Sequence, residues 1–124
     1  MIVFNYEHTI HFDLDDTLIF WGDNYDQPFE GAVQITDPYD GEVTYHKVHN
    51  RHIRFLKKQV AKGLGVVVWS ARGVKCAEAA IKALGLDDLN IMVMSKPGKV
   101  VDDLSDARDI LPKVIYLHED KFSP

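Results

Sequence analysis

Positive charge is in short supply in this chain: its 124 residues carry 14 Lys and Arg against 19 Asp and Glu, for a net charge of −5. That deficit argues against a sequence-independent grip on long duplex nucleic acid, which depends on neutralising phosphates. A short nucleotide or a nucleic-acid end stays open. Cysteine is almost absent as well. Cys76 stands alone, which excludes an internal disulfide and suits a reducing compartment. No apolar run approaches the length of a membrane-spanning helix. The opening MIVFNYEHTI lacks a basic segment followed by a long apolar stretch, so no secretion signal is expected. A cytoplasmic protein with no membrane partner is the expectation. Internal repeats, low-complexity tracts and an obvious linker are missing too, and the length suits one domain over 1–124 with enough chain to bury a core.

What is there alternates between strand-like and helix-like segments. HTIHFDL (8–14) reads as a first buried strand, and the Gly-, Pro-, Asp- and aromatic-rich stretch after it (19–31) as an irregular excursion. Residues 32–46 alternate on both sides of a loop holding Asp37, Pro38, Asp40 and Gly41, which predicts a hairpin; together, 19–46 form a flap inserted after the first strand. A helix is predicted over about 50–62, with Asn50 as N-cap, Gly63 as stop and Ile53, Leu56 and Val60 facing the core. LGVVVWS (64–70) is a β-branched run of the kind a strand covered on both faces shows. A second helix is predicted over 74–85, with Val74, Ala77, Ile81 and Leu84 inward. Short strands are predicted at 90–95, 99–103 and 113–119, with a short helix at 104–111. Strands alternating with helices imply a Rossmann-like three-layer α/β/α fold around a mostly parallel sheet of about five strands.

In such sheets ligands sit beyond the carboxyl ends of the strands. The polar residues fall there. Asp13 and Asp15 close the first strand, Ser70 the second, Lys96 follows the third, and Asp102 and Asp103 close the fourth. Crowded carboxylates repel one another and are costly to desolvate, so a cluster of this kind suggests a bound cation or a reaction. An all-oxygen site favours Mg²⁺ over softer metals. Ser70 as hydroxyl donor and Lys96 as fixed charge suit a phosphate, and phosphoryl transfer needs mostly positioning and charge neutralisation. An aspartate can be the nucleophile, while a second carboxyl protonates the leaving oxygen and then activates water.

These residues resemble the four motifs of the haloacid dehalogenase superfamily of phosphotransferases. DLDDTL matches DxDx[TV], the serine of VVVWSARG the second motif, the lysine of MSKPG the third, and VVDD the fourth, in the family's order from residue 11 to 103. The resemblance implies a Mg²⁺-dependent phosphate-monoester hydrolase working through an aspartyl-phosphate. Asp13 would be the nucleophile and a metal ligand, and Asp15 the general acid/base with its carbonyl on Mg²⁺. Ser70 and Lys96 would bind the transferring phosphoryl group. Asp103 would ligate the metal with Asp102 supporting it, and Thr17 would shape the turn. Two departures stand out: only PGKVV separates Lys96 from Asp102, and there is no room for a large cap domain. The substrate class this leaves is a phosphorylated small molecule, a nucleotide or a nucleic-acid end. A phosphomutase fits less well without a cap, and a non-catalytic binding or accessory protein on the same fold is the alternative.

Other features carry two readings each. Arg72 either touches substrate or pairs with surface carboxylates. Trp21, Tyr25, Phe29 and Tyr39 either stack a nucleobase or anchor the excursion on the core. His46, His49 and His52 are spaced three apart, but 46 and 52 diverge on a helix and lack a cysteine partner, which speaks against zinc. Arg51, Arg54, Lys57, Lys58 and Lys62 read as a solvated helix face.

Overall fold

The computed structural model describes residues 4–5, 7–22, 25–104, 106 and 115. In chain order the elements are β1 (Thr9–Asp13), β2 (Ile19–Phe20), β3 (Val33–Thr36), β4 (Val43–Val48), α1 (Asn50–Ala61), β5 (Gly65–Ser70), α2 (Val74–Ala83) and β6 (Ile91–Ser95). They build a mixed α/β fold with two small sheets, a parallel one in the order β1-β5-β6 and an antiparallel one in the order β2-β4-β3. The predicted sheet of about five strands is three strands wide among the described residues.

The valine run explains why β5 is central. Val66, Val67 and Val68 are all buried, and β5 pairs with β1 on one side and β6 on the other. Alternation along the strands sends Phe12, Val66 and Val68 to one face. There they meet Leu14, Leu18, Ile53, Leu56, Ala80 and Ile81 in a single core. Both described helices therefore cover the same face of the sheet rather than opposite faces. The helix predicted at 104–111 and the strand predicted at 113–119 lie outside the described residues, apart from Leu104, Asp106 and Ile115.

Both helices stop as their sequences suggest. After α1, the Gly63 N–H donates to the Val60 carbonyl and the Leu64 N–H to that of Gln59. After α2, Gly85 and Leu86 do the same to Lys82 and Ile81. This paired pattern needs a residue with positive φ, and glycine adopts it without steric cost. The start of α1 differs from expectation: His49 is the N-cap and Asn50 the first helical residue, with no side-chain cap. In α2 the buried stripe is Cys76, Ala77, Ala80 and Ile81, while Val74 is exposed.

The hairpin forms where the loop chemistry placed it. The Asp37 carboxylate accepts the N–H groups of Tyr39 and Asp40 at 2.8 and 3.2 Å, and these bonds hold its carboxyl below the usual range. β2 is the addition, since Ile19 and Phe20 pair with Val48 and Lys47 at the start of the stretch that reads as irregular. The predicted strand at 99–103 does not form. Those residues are exposed and outside any strand, and no described backbone group pairs with them. Among the described residues no helix is long and apolar enough to cross a membrane.

Candidate active site

The parallel register brings three strand ends to one edge. Asp13 lies opposite Trp69, and Ser70 opposite Ser95. The pairing runs one residue further on each side, where the Leu14 N–H donates to the Trp69 carbonyl and the Lys96 N–H to the Ser70 carbonyl at 2.9 Å. Beyond β1 the chain winds around a single oxygen: the Leu14 carbonyl accepts the N–H groups of Thr17, Leu18 and Ile19. Leu14 and Leu18 are fully buried, so the turn is anchored from below while Asp13, Asp15 and Thr17 stand around its rim. Asp16 has a φ of 62°, a left-handed conformation that aspartate tolerates better than most residues.

Asp13 is engaged on both carboxylate oxygens. Lys96 Nζ lies 3.7 Å from Oδ1, and the Thr17 hydroxyl donates to Oδ2 at 3.3 Å. The Asp13 side chain is still 38% exposed, open to a substrate from solvent. Thr17, expected only to shape the turn, thus also touches Asp13.

Asp15 is held more tightly. The Arg72 guanidinium donates through Nη2 to Oδ1 at 2.8 Å and through Nε to Oδ2 at 3.0 Å. The Trp21 indole N–H donates to Oδ1 at 3.0 Å, and the Ser70 hydroxyl lies 3.5 Å from Oδ2. Burial opposes the charge on Arg72, but the hydrogen-bonded Asp15 carboxylate outweighs it and raises the guanidinium pKa. Ser70 is fully buried, and its Oγ also accepts the Arg72 backbone N–H at 3.1 Å.

Trp21 belongs to this cluster. Its ring lies under Arg72, 5.0 Å from centroid to guanidinium carbon, and meets His46 edge-on at 4.4 Å and Tyr25 at 5.3 Å. Of the two readings for this aromatic, the structure shows anchoring. His46 is buried. Its Nδ1–H donates to the Phe20 carbonyl, and its Nε2 accepts the Thr44 hydroxyl. Burial, only partly offset by the Phe20 bond, lowers its pKa. His52, buried in α1, donates from Nδ1 to the Thr17 carbonyl and so supports the turn from the helix side.

Asp102 and Asp103 sit elsewhere than predicted. With no strand at 99–103 they lie on exposed, irregular chain. The Leu104 N–H donates to the Asp102 carboxylate at 2.9 Å, which together with the adjacent Asp103 lowers its pKa. Among the described residues no group of three or more His, Cys, Asp or Glu side chains comes together to hold a metal ion.

The structure thus unites Asp13, Asp15, Ser70, Arg72 and Lys96, while Asp102 and Asp103 lie on irregular chain outside any strand. Sequence reasoning missed Trp21 as a partner of Asp15; its sole sequence signal is an aromatic six residues beyond a motif aspartate. Comparison with protein-family models, curated proteins and solved structures finds no match for the chain.

Proposed function

We propose that the protein is a phosphate-monoester hydrolase that works through an aspartyl-phosphate on Asp13, as a small capless relative of the haloacid dehalogenase superfamily. The observation that carries this reading is the meeting of Asp13 with Lys96 at 3.7 Å beside Ser70, each from the end of a different parallel strand. An Asp13 oxygen attacks phosphorus while Lys96 and Ser70 balance the charge on the phosphoryl oxygens. As the ester P–O bond breaks, Asp15 gives a proton to the leaving oxygen. Asp15 then takes a proton from water, which attacks the aspartyl-phosphate and releases inorganic phosphate. The open rim favours a substrate that presents a phosphate from a larger body, such as a nucleotide or a nucleic-acid end.

Mg²⁺ is the cofactor this chemistry would use, supplying positive charge against the phosphoryl oxygens. The described residues meet its needs in part: Asp13 and the Asp15 carbonyl are oxygen donors at the edge, but no group of three or more His, Cys, Asp or Glu side chains gathers among the described residues. The steps above therefore use the chain's own groups. The alternative reading is a non-catalytic binding protein on this fold.

Inorganic phosphate release separates the two. The assay takes an aryl phosphate, nucleoside 3′- and 5′-monophosphates, sugar phosphates and phosphorylated DNA ends, with and without Mg²⁺, beside Asp13→Asn. Turnover that Asp13→Asn abolishes supports the hydrolase. Equal activity in both proteins rejects Asp13 as nucleophile, and silence from both across the panel supports the binding protein.

A further inference from the structure

The flap sheet reaches the acid/base carboxyl through one side chain. Trp21 follows β2, rests its edge on His46 of β4 and donates its indole N–H to Asp15. A carboxylate oxygen offers two lone-pair sites. Oδ1 has both filled, by Arg72 Nη2 and Trp21 Nε1 at 2.8 and 3.0 Å. Oδ2 receives Arg72 Nε at 3.0 Å and a long 3.5 Å contact from the Ser70 hydroxyl. The guanidinium fork sets the rotation of the carboxyl about Cβ–Cγ, and the indole, approaching from another element, adds a second donor on Oδ1 that holds it there. The oxygen left with capacity is the one beside Ser70, where the phosphoryl group would lie.

We propose that Trp21 and Arg72 are positioning residues for Asp15, locking Oδ1 so that Oδ2 is the oxygen that exchanges the proton with the leaving group and with water. The proposal rests on the phosphatase reading and assigns the flap a supporting role rather than that of a lid. The hairpin tip is already seated on α2: the Tyr39 hydroxyl lies where a Cβ on Gly73 would meet it at 3.4 Å, and Lys75 lies over the Tyr39 ring. Arg72 correspondingly serves Asp15 rather than the substrate.

Leaving-group dependence tests this. A nitrophenyl ester departs with little help from an acid, whereas an alkyl ester such as a nucleoside 5′-monophosphate needs its oxygen protonated. Trp21→Phe is expected to lower kcat/KM on the alkyl ester about tenfold, a fraction of what general acid–base catalysis supplies. On nitrophenyl phosphate kcat/KM, which reports the attack step before Asp15 acts on water, should hardly change. On an Asp15→Asn background Trp21→Phe should add nothing, because both act through one group. Arg72→Lys should behave like Arg72→Ala, since a lysine restores charge but not the fork. Should Trp21→Phe fail to fold, Arg72→Lys gives the same readout with the Trp21 side chain intact.

Three results overturn the proposal: equal losses of kcat/KM on both esters, a raised KM with unchanged kcat, or rescue by Arg72→Lys. The last two would make these residues substrate contacts. A wild-type protein that hydrolyses neither ester overturns the phosphatase reading itself, and the positioning role falls with it.

Discussion

The Thr17 hydroxyl donates to Oδ2 of Asp13 at 3.3 Å while Lys96 faces the other oxygen at 3.7 Å. On the proposed mechanism, Thr17 would help select which Asp13 oxygen is free to attack. Thr17→Val keeps the shape and removes the donor. A hydrogen bond to a charged group contributes about 1.5–3 kcal/mol, so a drop in phosphate-release kcat of roughly tenfold or more is expected, with Thr17→Ser recovering most of it. Unchanged kcat in Thr17→Val would leave the residue as a turn former only.

Asp16 sets up a contrast in stability. Its φ of 62° suits glycine, asparagine or aspartate, and its Oδ1 accepts the Trp21 backbone N–H at 3.2 Å. Asp16→Asn should leave the urea midpoint nearly unmoved. Asp16→Val should lower stability by about 1–2 kcal/mol, the cost of the left-handed region for a branched residue. Equal midpoints for both variants would show that the turn relaxes.

Leu14 links the core to the rim. It is fully buried, and its carbonyl gathers three backbone N–H groups of the turn. Leu14→Ala is expected to cost about 2–5 kcal/mol and to reduce the proposed phosphatase activity even at temperatures where the variant is still folded. Denaturant titration with a parallel activity assay checks both halves.

Acid should destabilise the fold through buried His46 and through His11, which is exposed on β1 but partly desolvated. Desolvation lowers the pKa of both below the ordinary 6.5. Their neutral forms are thus favoured in the folded chain, and the unfolded chain takes up protons first. Stability is then full above pH 6.5 and lost as pH falls from there through the folded values. Thermal midpoints at pH 7.5 and pH 5.5 should show the drop, and His46→Gln or His11→Gln should each shrink it. A drop of equal size in both variants would place the proton uptake elsewhere.

The strand ends were legible because their signals are local. A β-branched run ending in Ser70 and an apolar run ending in Asp13 need only a few neighbours to be read, and Gly63 and Gly85 mark their helix ends by a conformational demand of their own. What was hidden depends on distant chain. Arg72 meets Asp15 across the β1–β5 pairing, and Trp21, itself exposed, reaches Asp15 while its ring meets His46, far along in β4. The fourth strand misled because VVDD has the composition of a strand end, while strand formation also requires a partner for its N–H and C=O groups. Cys76 and Ala80 displaced Val74 in the α2 interface because small side chains let the helix approach the sheet and hairpin.

The pairing of Thr9 with Gly65 has a kinetic corollary. The hairpin from Val33 to Val48 closes a short loop and can form early, whereas β1 and β5 must first find each other across everything between them. Asp13 and Asp15 therefore meet Ser70, Arg72 and Lys96 only when that long closure is complete. In a refolding experiment, recovery of the proposed phosphatase turnover would report the final zipping of the parallel sheet and lag behind any signal from the hairpin.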